Sequence, residues 1–198
     1  MTPHMLDLVR AIAWHCDIRG PVLDIGSYIE SGQEHLDLRR AFPRSATYVG
    51  VDIIEGPGVD RHASLLDASQ MDAVVTDVTP AITVCLYVME HVWDMHSSAT
   101  ALARIWQKNP NTWLMVSTHQ RQPYHGTPNY PDYWRITAQG MQRLFDDTGI
   151  EGTHVIVHPN TSDPTDVLAI RQPANMAWPV EAFVMVVRSV SEHWEQIS

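Results

Sequence analysis

One stretch near the start of the chain, Val22-Leu23-Asp24-Ile25-Gly26-Ser27, constrains the rest most strongly. Gly20-Pro21 breaks whatever precedes it. Three apolar side chains in the next four positions then read as a short buried strand. The strand runs into a turn with glycines at 26 and 32 and serines at 27 and 31. A helical pattern is expected from about Gly32. Strand, glycine turn and helix form the first unit of a nucleotide-binding α/β sheet, where glycine lets the backbone approach a ligand closely. A second strand, Ala46-Thr47-Tyr48-Val49-Gly50-Val51, ends on Asp52. An acid at that tip can accept hydrogen bonds from ribose hydroxyls.

The same turn discriminates between ligands. A dinucleotide site wants G-x-G-x-x-G, so that a pyrophosphate rests on a helix N-terminus. Here the run is Gly26-Ser27-Tyr28-Ile29-Glu30-Ser31-Gly32, with the wrong spacing and with Glu30 where phosphate would be repelled. Asp24 beside the turn suits a cationic ligand. S-adenosylmethionine (SAM) carries a sulfonium and an ammonium and no phosphate.

Four segments stand in one order: Val22-Leu23-Asp24-Ile25-Gly26-Ser27, Tyr48-Val49-Gly50-Val51-Asp52, Val88-Met89-Glu90-His91-Val92 and Asp132-Tyr133-Trp134-Arg135-Ile136-Thr137. With them the chain resembles the class I SAM-dependent methyltransferases, particularly the small type 11 group, over residues 20–188. That resemblance implies a single Rossmann-like α/β domain over residues 1–198. Its sheet would have seven mostly parallel strands, an antiparallel last strand, and helices on both faces. Residues 1–19 would form an N-terminal helix and residues 20–190 the core. Residues 119–136 and 159–179 would be active-site loops. SAM would be the cofactor, its methionine part at Asp24, Gly26, Ser27 and Gly32 and its ribose at Asp52 and Ile53. Ser64 and Leu65 would flank the adenine, and Tyr87 and His91 would complete the cofactor site. Two positions depart from the family: Ser27, where glycine is common, and Ser64, where many relatives carry an acid.

In chain order, Thr2 caps a helix with Pro3 at its first position. Met5, Val9, Ile12 and Cys16 share one apolar face, which reads as a helix packed on the sheet; the resemblance implies the alternative of a lid over the cofactor. Leu36, Leu38 and Ala41 continue a second helix that Pro43 ends. Glu55-Gly56-Pro57-Gly58 is a turn by composition, and residues 59–63 form a short third strand. Residues 81–88 are a continuous apolar run, as in a central parallel strand covered on both faces. Ligands of such sheets bind outside the carboxyl ends of the strands, so Glu90 and His91 fall near a site by topology alone. The structural alternative is that either residue caps the next helix. That helix carries Ala99, Leu102, Ile105 and Trp106 and ends at Asn109-Pro110. Residues 112–118 form a fifth strand. Residues 119–135 have no periodicity, yet hold three prolines, three tyrosines and Trp134. A long aromatic loop at the end of a central strand is a functional segment. Thr137 then caps a helix with Met141, Leu144 and Phe145 inward, ended by Gly149. Residues 153–157 and 180–187 supply the last two strands.

The chemistry follows from that loop. His125, in mid-loop, is the first candidate for a proton acceptor and His119 the second, since imidazole suits that role near neutral pH. Tyr124, Tyr133 and Trp134 would form the acceptor wall, with Tyr130 adding to its apolar surface. Neither H-E-x-x-H nor Cys-x-x-Cys occurs, so no metal ion is expected despite eleven histidines. The absence of G-x-S-x-G argues against a serine hydrolase. A net charge of −10 argues against a nucleic-acid partner. The expected partner is a small-molecule substrate, with no membrane. With two cysteines in apolar segments and no signal pattern, a cytoplasmic location is expected. The competing class is a methyltransferase-like scaffold without activity, since fold does not fix function. Asp24, Gly26, Gly32 and Asp52 standing together oppose it.

Overall fold

The computed structural model describes residues 2–109, 112–120, 122–150, 153–157 and 182–188. Five parallel strands form the body: β1 (Val22–Ile25), β2 (Tyr48–Asp52), β3 (Arg61–His62), β4 (Ile82–Leu86) and β5 (Trp113–His119). Their order is β3-β2-β1-β4-β5. The chain moves outward from β1 through β2 to β3, then returns to β4 on the other side of β1. A crevice opens at that reversal, above the carboxyl ends of β1 and β4. Two further strands are described, β6 (Thr153–Val157) and β7 (Ala182–Arg188).

Alternation along the strands divides the core in two. Leu23, Ile25, Cys85, Leu114 and Val116 point to one face. There they meet α2 (Ala68–Val78), α3 (Met95–Lys108) and α4 (Ala138–Asp146). Val22, Ile82, Val84, Leu86 and Met115 point to the other face and meet α1 (Pro3–His15). Met5, Val9 and Ile12 of α1 are at most 1% exposed, so this helix packs on the sheet as its periodicity indicates. Thr2 caps it by accepting from Met5 N. No helix among the described residues is long and apolar enough to cross a membrane.

The structure corrects several local expectations. The stretch after Gly32 is two 3₁₀ turns, Glu34–Leu36 and Leu38–Ala41, instead of an α-helix. Asp37 between them is extended, and its carboxylate accepts from Arg39 N. Such a short-range bond competes with helix continuation. Leu38 and Ala41 are buried all the same, so their spacing marked a packed face on a tighter winding. Helix α2 was not expected. Its signals are the Asp67 cap, accepting from Ser69 N and Gln70 N, and Met71, Val74 and Val75 on one face. The third strand shrinks to two residues. Neither Glu90 nor His91 caps α3; Asp94 does, accepting from Ser97 N, and Met89–His91 form a 3₁₀ turn. Thr137 caps α4 as its position suggests. The second expected active-site loop, residues 159–179, lies outside the described residues.

Candidate functional site

A cavity of about 630 Å³ opens across the carboxyl ends of β1, β2, β4 and β5. That volume suits a small organic ligand. Its first end is built by the turn after β1. Gly26 has φ +84°, and a Cβ there would come within 2.1 Å of Val88 Cγ2. Only glycine gives this turn its shape and lets Val88 close on it. Gly26 N and Ser27 N both donate to Val51 O, tying the turn to β2. Asp52 braces the same turn. Its Oδ2 accepts from Tyr28 N and its Oδ1 from Ile54 N, each at 3.0 Å. The carboxylate is fixed while each oxygen keeps a second lone pair.

Asp24 projects from β1 on the α1 face and is 6% exposed. Burial pushes its pKa up to about 7, against the opposing hydrogen bond from Tyr48 and the charge of Arg39. Tyr48 Oη donates to Asp24 Oδ2 at 2.6 Å, and the Arg39 guanidinium lies 4.8 Å from the Tyr48 ring centre. A cation in the cavity would complete what burial has taken from this carboxylate. Ser27 Oγ is buried without a hydrogen-bond partner among the described residues. Ile53, Ser64 and Leu65 line the wall beyond β2 and β3. Gly32 does not line the cavity; its N–H donates to Glu34 Oε1 in the turn beyond it.

The second end is built by the segments after β4 and β5. Tyr87 turns the chain with φ +60°, a strained conformation for a bulky residue. Its ring stacks on His119 at 4.1 Å. His119 is the last residue of β5, and burial lowers its pKa to about 3, so its imidazole is neutral. Glu90 is wholly buried. Its Oε2 accepts from Thr118 Oγ1 at 3.0 Å. Its Oε1 has no hydrogen-bond partner among the described residues and lies 3.7 Å from His119 Nε2. Burial pushes the Glu90 carboxyl up to about 7.

His91 and His125 face the same space, their ring centres 5.1 Å apart, and His125 is 4.9 Å from His119. His91 Nδ1 is 2.9 Å from Pro131 O. His125 Nδ1 is 3.2 Å from Pro123 O and 3.1 Å from Asp132 Oδ2. Carbonyl and carboxylate oxygens only accept, so both Nδ1 atoms carry a proton, and in the neutral imidazole the lone pair is then on Nε2. Asp132 is held in a two-pronged fork by Arg135, whose hydrogen bonds keep it well below the usual carboxylate range. Arg135 also donates to Gln122 O and Pro123 O. The loop is also fastened to the turn after β4 at the Glu90 carbonyl, which accepts from both Tyr133 N and Trp134 N.

The aromatic wall differs in part from expectation. Tyr133 lines the cavity and meets Trp93 edge to face. Tyr124 is 76% exposed and off the cavity wall. Trp134 is off it too; its Nε1 donates to Val92 O and its ring packs toward the core. The expectation treated all three alike because aromatic composition does not record side-chain direction. Tyr130, expected on the same apolar surface, does line the cavity, and so does Trp93, which was not singled out from sequence. So do Asp24, Asp52, Tyr87, His91, His119 and His125.

No protein-family model and no curated protein matches this sequence. Solved structures do match in fold. One is a provisionally assigned methyltransferase from Thermobifida fusca, 16% identical, over 94% of this chain and 80% of that one, with TM-score 0.60. The small RNA methyltransferase HEN1 is 15% identical over 93% of this chain, with TM-score 0.59, and this chain spans only 25% of it. A third is the 1,6-didemethyltoxoflavin-N1-methyltransferase from Burkholderia thailandensis, with 1,6-didemethyltoxoflavin and S-adenosylhomocysteine bound. It is 11% identical, over 96% of this chain and 79% of that one, with TM-score 0.54. These likenesses show the fold: an α/β architecture around a parallel five-stranded sheet, shared with SAM-dependent methyltransferases.

Proposed function

We propose that this chain is a SAM-dependent methyltransferase of the small type 11 kind, acting on oxygen or nitrogen of a small molecule. One observation carries the reading. A single cavity joins a braced carboxylate pair around a glycine turn to a cluster of one buried and two half-buried histidines. The first end fits SAM: Asp24 faces its cationic methionine part, Gly26 and Ser27 give it close approach, and Asp52 takes the ribose hydroxyls. Bound there, SAM supplies a methyl group on a sulfonium, a good leaving group. The residues of this chain have three tasks: to hold the acceptor in line, to exclude water and to receive a proton. The proton of a hydroxyl acceptor passes to His125 Nε2, which the Asp132 carboxylate orients from behind. His119 lies next to it as the second acceptor. Tyr133 and Tyr130 close the wall on that side.

A non-catalytic scaffold is not favoured, because it gives no account of the second end. The net charge of −10 supports a small acceptor over a nucleic acid. We also read the chain as one domain whose sheet extends to seven strands. The pairing of Ala182–Arg188 antiparallel to β5 supports that extension. The test is titration calorimetry with SAM and S-adenosylhomocysteine, followed by methyl transfer from labelled SAM to panels of phenols, sugars, amines and RNA. Binding of both ligands and label in a small acceptor is expected. Failure to bind either ligand, or salt-sensitive labelling of RNA alone, overturns the reading.

A further inference from the structure

We infer that Glu90, His91 and His125 form a binding site for a divalent transition-metal ion of the zinc class at the second end of the cavity. One ligand atom from each of the three lies within 4.8 Å of the other two. Ligands of a tetrahedral zinc ion stand about 3.4 Å apart, given bonds of roughly 2.1 Å. Closing the gap needs only small side-chain movements.

Two independent observations point to an ion. The first is Glu90 Oε1, a fully buried carboxyl oxygen with no hydrogen-bond partner among the described residues. Leaving such an atom unpaired costs the full desolvation of the group unless something else meets it. The second is the arrangement behind the two imidazoles. Metal-binding histidines almost always donate their other ring N–H to a carbonyl or a carboxylate. His91 does so to Pro131 O, and His125 to Pro123 O and Asp132 Oδ2. Asp132 is in turn fixed by Arg135. That leaves Nε2 as the free donor atom of each ring, in a cluster with a carboxyl group that has one unpaired oxygen.

The donor set of two imidazoles and one carboxylate suits zinc or iron(II), where three protein ligands leave a position open. His91 and His125 line the cavity, so the open position faces the space for the acceptor. His119, whose Nε2 is 3.7 Å from Glu90 Oε1, borders it. No sequence motif announces this set because the ligands come from two loops, 34 residues apart between His91 and His125. A metal also changes the task of His125. Its lone pair cannot hold a metal and receive a proton at once. With the ion bound, an acceptor hydroxyl on the open position would lose its proton to water through its lowered pKa.

The test uses the full chain, stripped with a chelator and dialysed. Cobalt(II) is titrated in and followed by visible absorption, and zinc content is measured by mass spectrometry after reloading. One ion per chain is expected, with the intense absorption of a low-coordinate cobalt site. Glu90→Gln and His91→Ala should each weaken binding by at least tenfold, and Asp132→Asn by roughly 10–100-fold. His96→Ala, an exposed control, should bind as the parent does. S-adenosylhomocysteine titrated into the stripped protein reports separately on the methyltransferase reading and on folding of each variant. No stoichiometric cobalt in protein that binds S-adenosylhomocysteine overturns the site. So does unchanged cobalt affinity in both Glu90→Gln and His91→Ala.

Discussion

Asp24 is the residue whose environment makes the sharpest demand. Its carboxyl is raised from 3.8 to about 7 by burial, so the folded chain holds this proton more tightly than the unfolded chain does. Stability from this group is full below pH 4 and is lost as pH rises through 7. Asp24→Asn should remove that slope. Its stability relative to the parent should improve between pH 4 and 8, by up to about 4 kcal/mol in denaturant titrations. Ligand binding has the opposite slope. A cationic ligand prefers the ionised carboxylate, so SAM affinity of the parent should rise with pH through 7. In Asp24→Asn it should be weaker and flat. A parent affinity independent of pH between 5.5 and 8 separates Asp24 from the ligand's charge. Asp52 carries a double burden, since it already accepts from Tyr28 N and Ile54 N. Asp52→Ala should cost roughly 1.5–3 kcal/mol of SAM affinity, read by calorimetry.

At the scale of elements, the turn after β1 and the loop after β5 make contrasting predictions. Gly26→Ala forces a Cβ onto a positive-φ position already closed by Val88. SAM binding should fall below detection while circular dichroism remains that of the parent. Arg135 instead locks a loop, through Asp132 and the carbonyls of Gln122 and Pro123. Arg135→Lys loses the fork that a planar guanidinium provides. Faster amide exchange over residues 122–134 and lower turnover are expected, with SAM affinity retained; unchanged exchange would show the fork to be dispensable. These two elements also mark how far the sequence could be read. Gly26, Asp52 and the apolar run of β4 announce themselves because backbone geometry and burial restrict which residues fit. The 3₁₀ winding after Gly32 depends on one Asp37 side-chain bond, and periodicity is blind to that. The Glu90, His91 and His125 cluster was hidden for another reason: its members meet only once two loops have folded together. Topology had placed Glu90 near the site, but nothing local says that one of its oxygens is left bare.

For the whole molecule, two core clusters lie on opposite faces of one sheet, with Ile105 in one and Ile12 in the other. If both faces unfold together, Ile12→Val and Ile105→Val should each cost about 0.5–1.5 kcal/mol. Their effects should add within about 0.5 kcal/mol in a single cooperative transition. Separate transitions would mean that the helices of one face fold apart from the sheet. The cavity adds a further consequence. Apart from Thr2, its lining falls in two stretches, residues 24–66 at the first end and residues 86–133 at the second. The boundary falls at the reversal of strand order, so on the proposed reading the grip on the methyl donor and the choice of acceptor fall in separate, contiguous stretches of chain. The second stretch can therefore be exchanged as a cassette, by grafting a different loop between β5 and α4, without rewriting the first.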